Sequence, residues 1–442
     1  MRIKIHISLI FCLITLHCVC FADAGEMRTW RAKSGSQVEA SFVKEKYGYV
    51  SLQKEDGAII KIRLISLCVE DQQYVKEQNK TAHPKLSASK TSGKDKPKPA
   101  LDIPWPIGAV SEEIKTSDKS DWSYYLYLPK SFRSDRKWPV LFTMSPGGGN
   151  AKTLGRYISG AEFNNWIMAV SVQSKNNFNQ SGEAIQAMVE DVIKRLPIDE
   201  KRMYSTGMSG GARMAFWLAE QTNSKPLAGV LACGAGATRA KLPEDTAIYG
   251  LCGSNCFNRW DMACTCKILK NNNSCLRFFV GNHTWADSDL ISDGMTWLNL
   301  CYLQNVRSTD RQLQQEKADV ADKVLAEIER NAEKNPERAY EWALFLSKRK
   351  ELSSEKATEY LQSLSKHPRI KLYIQALNDL DKFVEKHFAT DVMDYLNNNG
   401  TKAAKSDADA LTEKYKETVL AELFQKMGEP ARTPGGAKKK KK

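Results

Sequence analysis

The stretch that decides the fold runs Tyr204-Ser205-Thr206-Gly207-Met208-Ser209-Gly210-Gly211-Ala212-Arg213. It has the pattern G-x-S-x-G, with a short strand-like segment before it and helix-forming residues after it. A serine on such a tight strand-to-helix turn exposes its hydroxyl above the edge of a sheet, and the glycines let neighbouring backbone approach closely. The first N–H groups of the following helix favour a negative charge at the same place. The pattern therefore predicts that Ser209 is a nucleophile.

A serine nucleophile needs a base, which is usually a histidine at neutral pH. The chain has six histidines, and only His283 lies in the segment where strand-like and helix-like stretches alternate. It follows Ser209 in chain order, and its loop comes directly after a strand-like segment at 275–280. His283 is therefore predicted to be the base.

The acid that would orient this histidine belongs on the loop after the predicted strand 246–252. The nearest carboxylate there is Asp261, at some distance from the end of the strand. Asp261 is either the orienting acid or only a residue in the first turn of a helix.

An oxyanion hole is predicted from a second glycine-rich loop. Gly147, Gly148 and Gly149 follow the strand-like segment 138–144, and their backbone can present N–H groups to a substrate oxygen. Gly147 or Gly148 would supply one donor, and Gly210 would supply the other. The loop has neither a G-K-[ST] ending nor a G-x-G-x-x-G pattern, which argues against a nucleotide site.

The first 24 residues have the features of a secretory signal peptide. A basic start is followed by a mainly apolar core at 7–21 and by Ala22-Asp23-Ala24 before Gly25. No later apolar run is long enough to span a bilayer. These features predict a secreted or periplasmic protein without a stable membrane span, with a retained N-terminal anchor as the alternative.

Export changes the interpretation of the cysteines. Eight of the eleven lie beyond the leader, and five of these crowd into residues 252–275. An oxidising compartment favours disulfides there, with Cys252, Cys256, Cys264, Cys266 and Cys275 as candidates. Zinc is the alternative, but there is no paired C-x-x-C, so neither a metal nor another cofactor is expected.

The net charge of +13 lies almost entirely outside the predicted folded segments. Seven lysines against two acidic residues give 76–100 a charge of +5, and 431–442 carries one arginine and five lysines. A nucleic-acid-binding domain would instead concentrate its charge on a folded face, so no nucleic-acid partner is expected. The basic segments could contact anionic surfaces by electrostatic attraction.

Six segments follow from the composition and the hydrophobic periodicity. Three strand-like runs, at 38–43, 49–53 and 59–64, predict a small β domain, and a Lys/Ser/Pro-rich linker follows it. Alternating strands and helices then predict a mostly parallel sheet, and helical spacing alone predicts a C-terminal bundle. The predicted segments are a signal peptide (1–24), an SH3-like β domain (25–75), the linker (76–103), an α/β domain (104–305), a helical domain (306–430) and a basic tail (431–442).

The α/β segment resembles the secreted α/β-hydrolase serine esterases of the poly(3-hydroxybutyrate) depolymerase and feruloyl/acetylxylan esterase group. The resemblance rests on four stretches: Pro146-Gly147-Gly148-Gly149, Arg202 to Gly211, Gly253-Ser254-Asn255-Cys256-Phe257-Asn258, and Gly281-Asn282-His283-Thr284-Trp285. It implies Ser209 as the nucleophile and His283 as the base.

This chain departs from the family pattern at two places. The family's acid is expected at position 256, in a G-x-x-D-x-N setting, where this chain has Cys256. Ser145-Pro146 replaces the usual His-Gly before the oxyanion glycines. Either Asp261 substitutes for the acid, or the enzyme is weak, or the protein is a pseudoenzyme.

The N-terminal β segment resembles the SLA homology domain, an SH3-like barrel. The resemblance rests on Arg28-Thr29-Trp30, the Gly57 turn, Leu64-Ile65-Ser66-Leu67 and Asp71-Gln72-Gln73-Tyr74.

Together these observations predict a secreted carboxylic-ester hydrolase that acts through an acyl-serine intermediate on a polymeric, polysaccharide-linked or small-molecule ester. Two alternatives remain. One is a weak or inactive hydrolase-fold protein that serves as an extracellular binding scaffold, and the other is a serine peptidase of the same fold.

Overall fold

The computed structural model describes residues 26–46, 49–81, 103–118, 121–222, 226–269, 273–305, 309–349, 351–352, 354–390, 395 and 402–431. The predicted signal peptide, most of the predicted linker and nearly all of the basic tail lie outside these ranges. The chain divides into two compact units, Met1–Lys90 and Thr91–Lys442, and each is described by itself.

The first unit is a small antiparallel sheet followed by a helix. Its strands pair in chain order, and a short 3₁₀ turn at Leu64–Ser66 precedes the helix. The elements are β1 (Met27–Arg31), β2 (Gln37–Lys46), β3 (Tyr49–Gln53), β4 (Ile59–Arg63) and α1 (Val69–Thr81). The predicted β domain is confirmed, and β1 and α1 add to the three strands that the sequence pattern indicates.

Helix α1 extends into the segment that composition assigns to the linker. It is anchored by Asp71, whose carboxylate accepts a hydrogen bond from Arg28 at 2.5 Å and from the N–H of Arg31 at 2.6 Å. Trp30 and Val75 lie in the same buried core, so the helix covers one face of the sheet.

The second unit is built on a mixed sheet of eight strands in the order β12-β11-β10-β9-β7-β8-β6-β5. The six strands from β12 to β8 are parallel, while β6 and β5 pair antiparallel at one edge. The strands are β5 (Ile114–Lys115), β6 (Ser123–Tyr127), β7 (Trp138–Met144), β8 (Ile167–Ser171), β9 (Ile198–Met208), β10 (Gly229–Cys233), β11 (Ala247–Gly253) and β12 (Ser274–Phe279).

Helices connect the strands and then continue as an all-helical region. The connecting helices are α2 (Ala151–Gly155), α3 (Ile158–Asn164), α4 (Ser181–Arg195), α5 (Gly210–Gln221), α6 (Arg259–Ile268) and α7 (Ser288–Gln304). The C-terminal helices are α8 (Arg311–Asn331), α9 (Pro336–Ser347), α10 (Glu355–Lys366), α11 (Pro368–His387), α12 (Lys402–Lys414) and α13 (Ala421–Met427). The predicted parallel sheet and helical C-terminal region are therefore confirmed.

The C-terminal helices belong to the same compact unit as the sheet. Arg202 on β9 is almost completely buried, and its guanidinium forms a two-point ion pair with Glu316 on α8. Trp297 on α7 packs against Phe345 on α9, with ring centroids 6.2 Å apart. In the part of the chain that the structure describes, none of the helices is both long enough and apolar enough to cross a membrane.

Candidate active site

Ser209 lies on a sharp turn between the end of β9 and the start of α5. Its backbone has φ 55° and ψ −119°, a conformation that non-glycine residues adopt rarely and at an energetic cost. The N–H of Ser209 donates to the carbonyl of Cys233 on the neighbouring strand at 2.8 Å. The turn is therefore tied to the sheet and presents a partly exposed serine.

The glycines on either side of the turn are required by close backbone contacts. A Cβ atom at Gly207 would collide with the backbone of Gly211, and one at Gly211 would collide with the carbonyl oxygen of Met144. The G-x-S-x-G spacing therefore has a packing cause at both glycine positions.

His283 reaches the serine from the loop that follows β12. Its Nε2 lies 2.8 Å from the Oγ of Ser209, which is within hydrogen-bonding distance for proton transfer. The ring of Phe257 packs on the imidazole with centroids 3.9 Å apart and limits its rotation. The structure thus brings together the nucleophile and the base that the sequence proposes.

The other imidazole nitrogen contacts a cysteine. The Sγ of Cys256 lies 3.1 Å from Nδ1 of His283, and the N–H of Asn258 donates to the same sulfur at 3.4 Å. The carbonyl of Gly234 accepts from the Asn258 side chain at 2.8 Å and also lies 3.7 Å from the Cys256 sulfur. Cys256 is completely buried and occupies the position of the carboxylate in the esterase pattern.

The surroundings of Cys256 favour the thiolate. The neighbouring Cys252 thiol is the largest influence that lowers the pKa of Cys256. Hydrogen bonds from His283 and from the N–H of Asn258 lower this pKa further, against the opposing effect of burial. Burial and the adjacent Cys256 together raise the pKa of Cys252 well above its ordinary value. The contacts around Cys256 therefore favour a negative charge on the sulfur beside His283.

Asp261 does not take part in this arrangement. It lies in the first turn of α6, where its carboxylate forms an ion pair with Arg213 at 2.9 Å and accepts the N–H of Gly236 at 3.2 Å. Its distance along the chain from the end of β11 carries it onto the helix, while Cys256 stays in the loop beside His283. The tentative assignment of Asp261 as the orienting acid is therefore corrected.

The predicted oxyanion donors divide into two groups. Gly148 and Gly149 use their N–H groups within the fold, donating to the carbonyls of Ser145 and Ser171 at 3.1 and 2.9 Å, so Gly148 is removed as a donor. Within the described ranges, the N–H of Gly147 makes no hydrogen bond.

Gly210 provides the second donor position. It is the first residue of α5, where N–H groups have no acceptor within the helix. The amide of Asn176 lies directly over it, because a Cβ atom at Gly210 would collide with the Asn176 side-chain oxygen. The position of Asn176 beside Gly210 could not be predicted from the sequence, because nothing in the G-x-S-x-G motif indicates that the loop containing Asn176 reaches α5.

The predicted disulfides are not present. The five candidate cysteines have free thiols in the structure, as do the other three described cysteines. Among the described residues, no three Cys, His, Asp or Glu side chains converge to hold a metal ion. Of the five cysteines between residues 252 and 275, Cys252 and Cys256 lie at the site. Cys264 and Cys266 lie on α6, and Cys275 lies on β12.

Comparison with known proteins divides the chain in the same way as the fold. Residues 20–83 match the model of SLA1 homology domain 1. No curated protein is similar to the chain.

Solved structures similar to the second unit include serine hydrolases and esterases. A fluorophosphonate-binding serine hydrolase of Staphylococcus aureus is 14% identical and has a TM-score of 0.36, covering 44% of this chain and 99% of its own. The carboxylesterase EstE1, cloned from a metagenomic library, is 12% identical with a TM-score of 0.36 over 45% and 91% of the two chains. A CE1 ferulic acid esterase of the anaerobic fungus Anaeromyces mucronatus is 13% identical with a TM-score of 0.33 over 48% and 94%.

The strand order, the antiparallel edge and the serine turn between β9 and α5 are those of an α/β-hydrolase sheet. The chain therefore joins a segment that matches the model of SLA1 homology domain 1 to a domain with the α/β-hydrolase fold and a helical C-terminal region.

Proposed function

We propose that the protein is a serine carboxylic-ester hydrolase whose third catalytic residue is the thiolate of Cys256. The observation that carries this proposal is the continuous contact from Ser209 Oγ through both nitrogens of His283 to Cys256 Sγ, at 2.8 and 3.1 Å. A thiolate can only accept a hydrogen bond, so Nδ1 holds the proton and Nε2 is free to accept the proton of Ser209.

The reaction follows from this proton arrangement. Ser209 Oγ attacks the ester carbonyl carbon while Nε2 of His283 takes its proton, and the Cys256 thiolate stabilises the imidazolium that forms. The N–H groups of Gly147 and Gly210 would bind the oxyanion. His283 then protonates the departing alcohol, and a water molecule activated by the same nitrogen hydrolyses the acyl-serine.

The proposal is tested with purified protein and p-nitrophenyl acetate or butyrate. Because the hydroxyl of Ser209 forms the covalent intermediate, we expect Ser209→Ala to lower kcat by about 10⁵-fold or more. A Ser209→Ala variant that keeps wild-type turnover would exclude Ser209 as the nucleophile.

A binding scaffold without catalysis is the second candidate, and Cys256 is the observation that favours it. If the neutral thiol of Cys256 donated its hydrogen bond to Nδ1, the ring proton would lie on Nε2, where the base must lack it. A fluorophosphonate probe separates the two functions, since covalent labelling at Ser209 requires an activated serine. Absence of labelling in folded protein would support the scaffold.

We also propose that the enzyme acts after export, on the basis of the signal-like leader. The three thiols nearest the site, Cys233, Cys252 and Cys256, are fully buried. Burial would limit their access to oxidants and preserve the thiolate in an oxidising compartment.

A further inference from the structure

The loop that carries Cys256 is held by an arginine that reaches into the C-terminal helices. Arg259 is the first residue of α6 and is 1% exposed. Its backbone N–H donates to the carbonyl of Cys256 at 3.0 Å, and its Nη1 donates to the carbonyl of Ser254 at 2.9 Å. One residue therefore binds the Cys256 loop at two points.

The same guanidinium binds the C-terminal region. It donates to the carbonyls of Met427 and Glu429 at 3.1 and 3.0 Å, and to the hydroxyl of Tyr395 at 3.3 Å. Its central carbon lies 4.4 Å from the centre of the Phe388 ring. Met427 ends α13, and the last carbonyls of a helix have no partner within it, so the arginine supplies donors that this helix end lacks.

Other contacts connect the same two surfaces. Asn255, next to Cys256, donates from its side chain to the Glu429 carboxylate at 3.2 Å. Trp260 donates from its indole to the carbonyl of Thr390 at 2.9 Å. Of these residues, only Arg259 contacts the carbonyls of the Cys256 loop as well as the end of α13.

We propose that Arg259 is a positioning residue for catalysis, which fixes the Cys256 loop against the C-terminal helices and thereby sets the contact between Cys256 Sγ and His283 Nδ1. This inference rests on the proposed esterase function. In this proposal the C-terminal helical region contributes to the reaction indirectly. Its carbonyls bind the guanidinium of Arg259, and Arg259 in turn binds the Cys256 loop.

The rigid fork of arginine is essential to this role. Its donors reach four acceptors in different directions, whereas a lysine has one nitrogen and would reach fewer of them. Methionine fills similar space without any donor. Arg259→Lys and Arg259→Met therefore form a graded series, and Trp260→Phe is the matched control because it removes one hydrogen bond from the same interface without touching the Cys256 loop.

The experiment measures kcat and KM of the full-length variants with p-nitrophenyl butyrate, with thermal unfolding of each variant as a check on folding. A misplaced catalytic group costs on the order of 10²-fold in rate, so we expect Arg259→Met to lower kcat by about this factor. KM should stay near the wild-type value because the substrate contacts are unchanged. Arg259→Lys should recover part of the loss, and Trp260→Phe should keep the wild-type kcat.

Each outcome bears on a different claim. A wild-type protein without turnover and without fluorophosphonate labelling would overturn the proposed function, and the positioning role with it. An active wild type with an unchanged kcat in Arg259→Met, or with an equal loss in Trp260→Phe, would overturn the positioning role alone. If Arg259→Met does not fold, Arg259→Lys decides: wild-type kcat in that variant rejects the proposal, and a lowered kcat at constant KM supports it.

Discussion

At the scale of single residues, the proposed site has a cysteine sulfur beside His283 Nδ1, where the esterase pattern has a carboxylate. A carboxylate beside an imidazole is ionised at neutral pH without assistance, whereas a cysteine is ordinarily protonated there. The Cys252 thiol, the N–H of Asn258 and the imidazole of His283 all lower the pKa of Cys256. Burial alone would have the opposite effect, so in the proposed mechanism these three groups favour the thiolate.

Substitution of Cys256 tests whether catalysis requires a negative charge beside Nδ1 of His283. Cys256→Ser places a neutral hydroxyl at Nδ1, and we expect kcat to fall by on the order of 10³- to 10⁴-fold. Cys256→Asp restores a negative charge at the same nitrogen and should remain close to wild-type activity. The measurement is kcat/KM with a p-nitrophenyl ester.

Asp261→Asn is the control for this pair. Asp261 contacts Arg213 and Gly236, so its neutralisation should leave turnover close to that of the wild type. A large loss of kcat in Asp261→Asn together with an active Cys256→Ser would return the acid role to Asp261.

The contact between Ser209 and His283 could be predicted from the sequence, and the contact between His283 and Cys256 could not. Ser209 sits in a spacing whose glycines have steric causes, and His283 is the only histidine of the α/β segment. The proposed catalytic role of Cys256 depends on its contacts with Cys252 and Asn258. These contacts form only when the chain is folded. From residue type alone, a cysteine at position 256 indicates that the catalytic acid of the esterase pattern has been lost.

At the scale of elements, the alternation of strand-like and helix-like stretches predicts the mostly parallel sheet, and helical spacing predicts the C-terminal helices. The short elements were missed: α2 has five residues, and its start is fixed locally by the side chain of Asn150, which caps it at Thr153. Such a helix is too short for an apolar period to appear. In the first unit, the Lys/Ser/Pro-rich composition predicts a linker from residue 76, whereas α1 continues to Thr81.

The turn between β9 and α5 can be tested through its glycines. A Cβ atom at Gly211 would meet the carbonyl oxygen of Met144, which the β-sheet prevents from moving freely. We expect Gly211→Ala to lower the free energy of unfolding by about 1–3 kcal/mol and to reduce activity by shifting Ser209. Urea unfolding followed by fluorescence, and the esterase assay, measure the two effects.

The matched control is Gly155→Ala at the end of α2. An added Cβ atom there meets nothing within 4 Å, so the free energy of unfolding should be unchanged or raised by up to about 1 kcal/mol. Equal effects of the two substitutions would show that the close contact at Gly211 does not constrain the turn.

At the scale of the whole molecule, the C-terminal helices are part of the hydrolase unit. Besides the contacts of Arg259, the ion pair of Arg202 and Glu316 joins the central strand β9 to α8. The side chain of Arg202 is 2% exposed, and a buried charge that loses its partner costs about 3–5 kcal/mol. The sheet therefore depends on a region that its sequence pattern presented as a separate domain.

This dependence predicts different results for two truncations. Residues 91–442 retain the sheet, the site and the helices of the second compact unit, so this fragment should fold cooperatively and keep the kcat and KM of the full chain. Residues 91–305 lack Glu316 and the helices that hold Arg259. We expect this shorter fragment to be insoluble or to lack cooperative unfolding, and to have no turnover. Calorimetry and the p-nitrophenyl butyrate assay on both fragments decide the matter, because a folded and fully active 91–305 fragment would show that the C-terminal helices are not needed for the site.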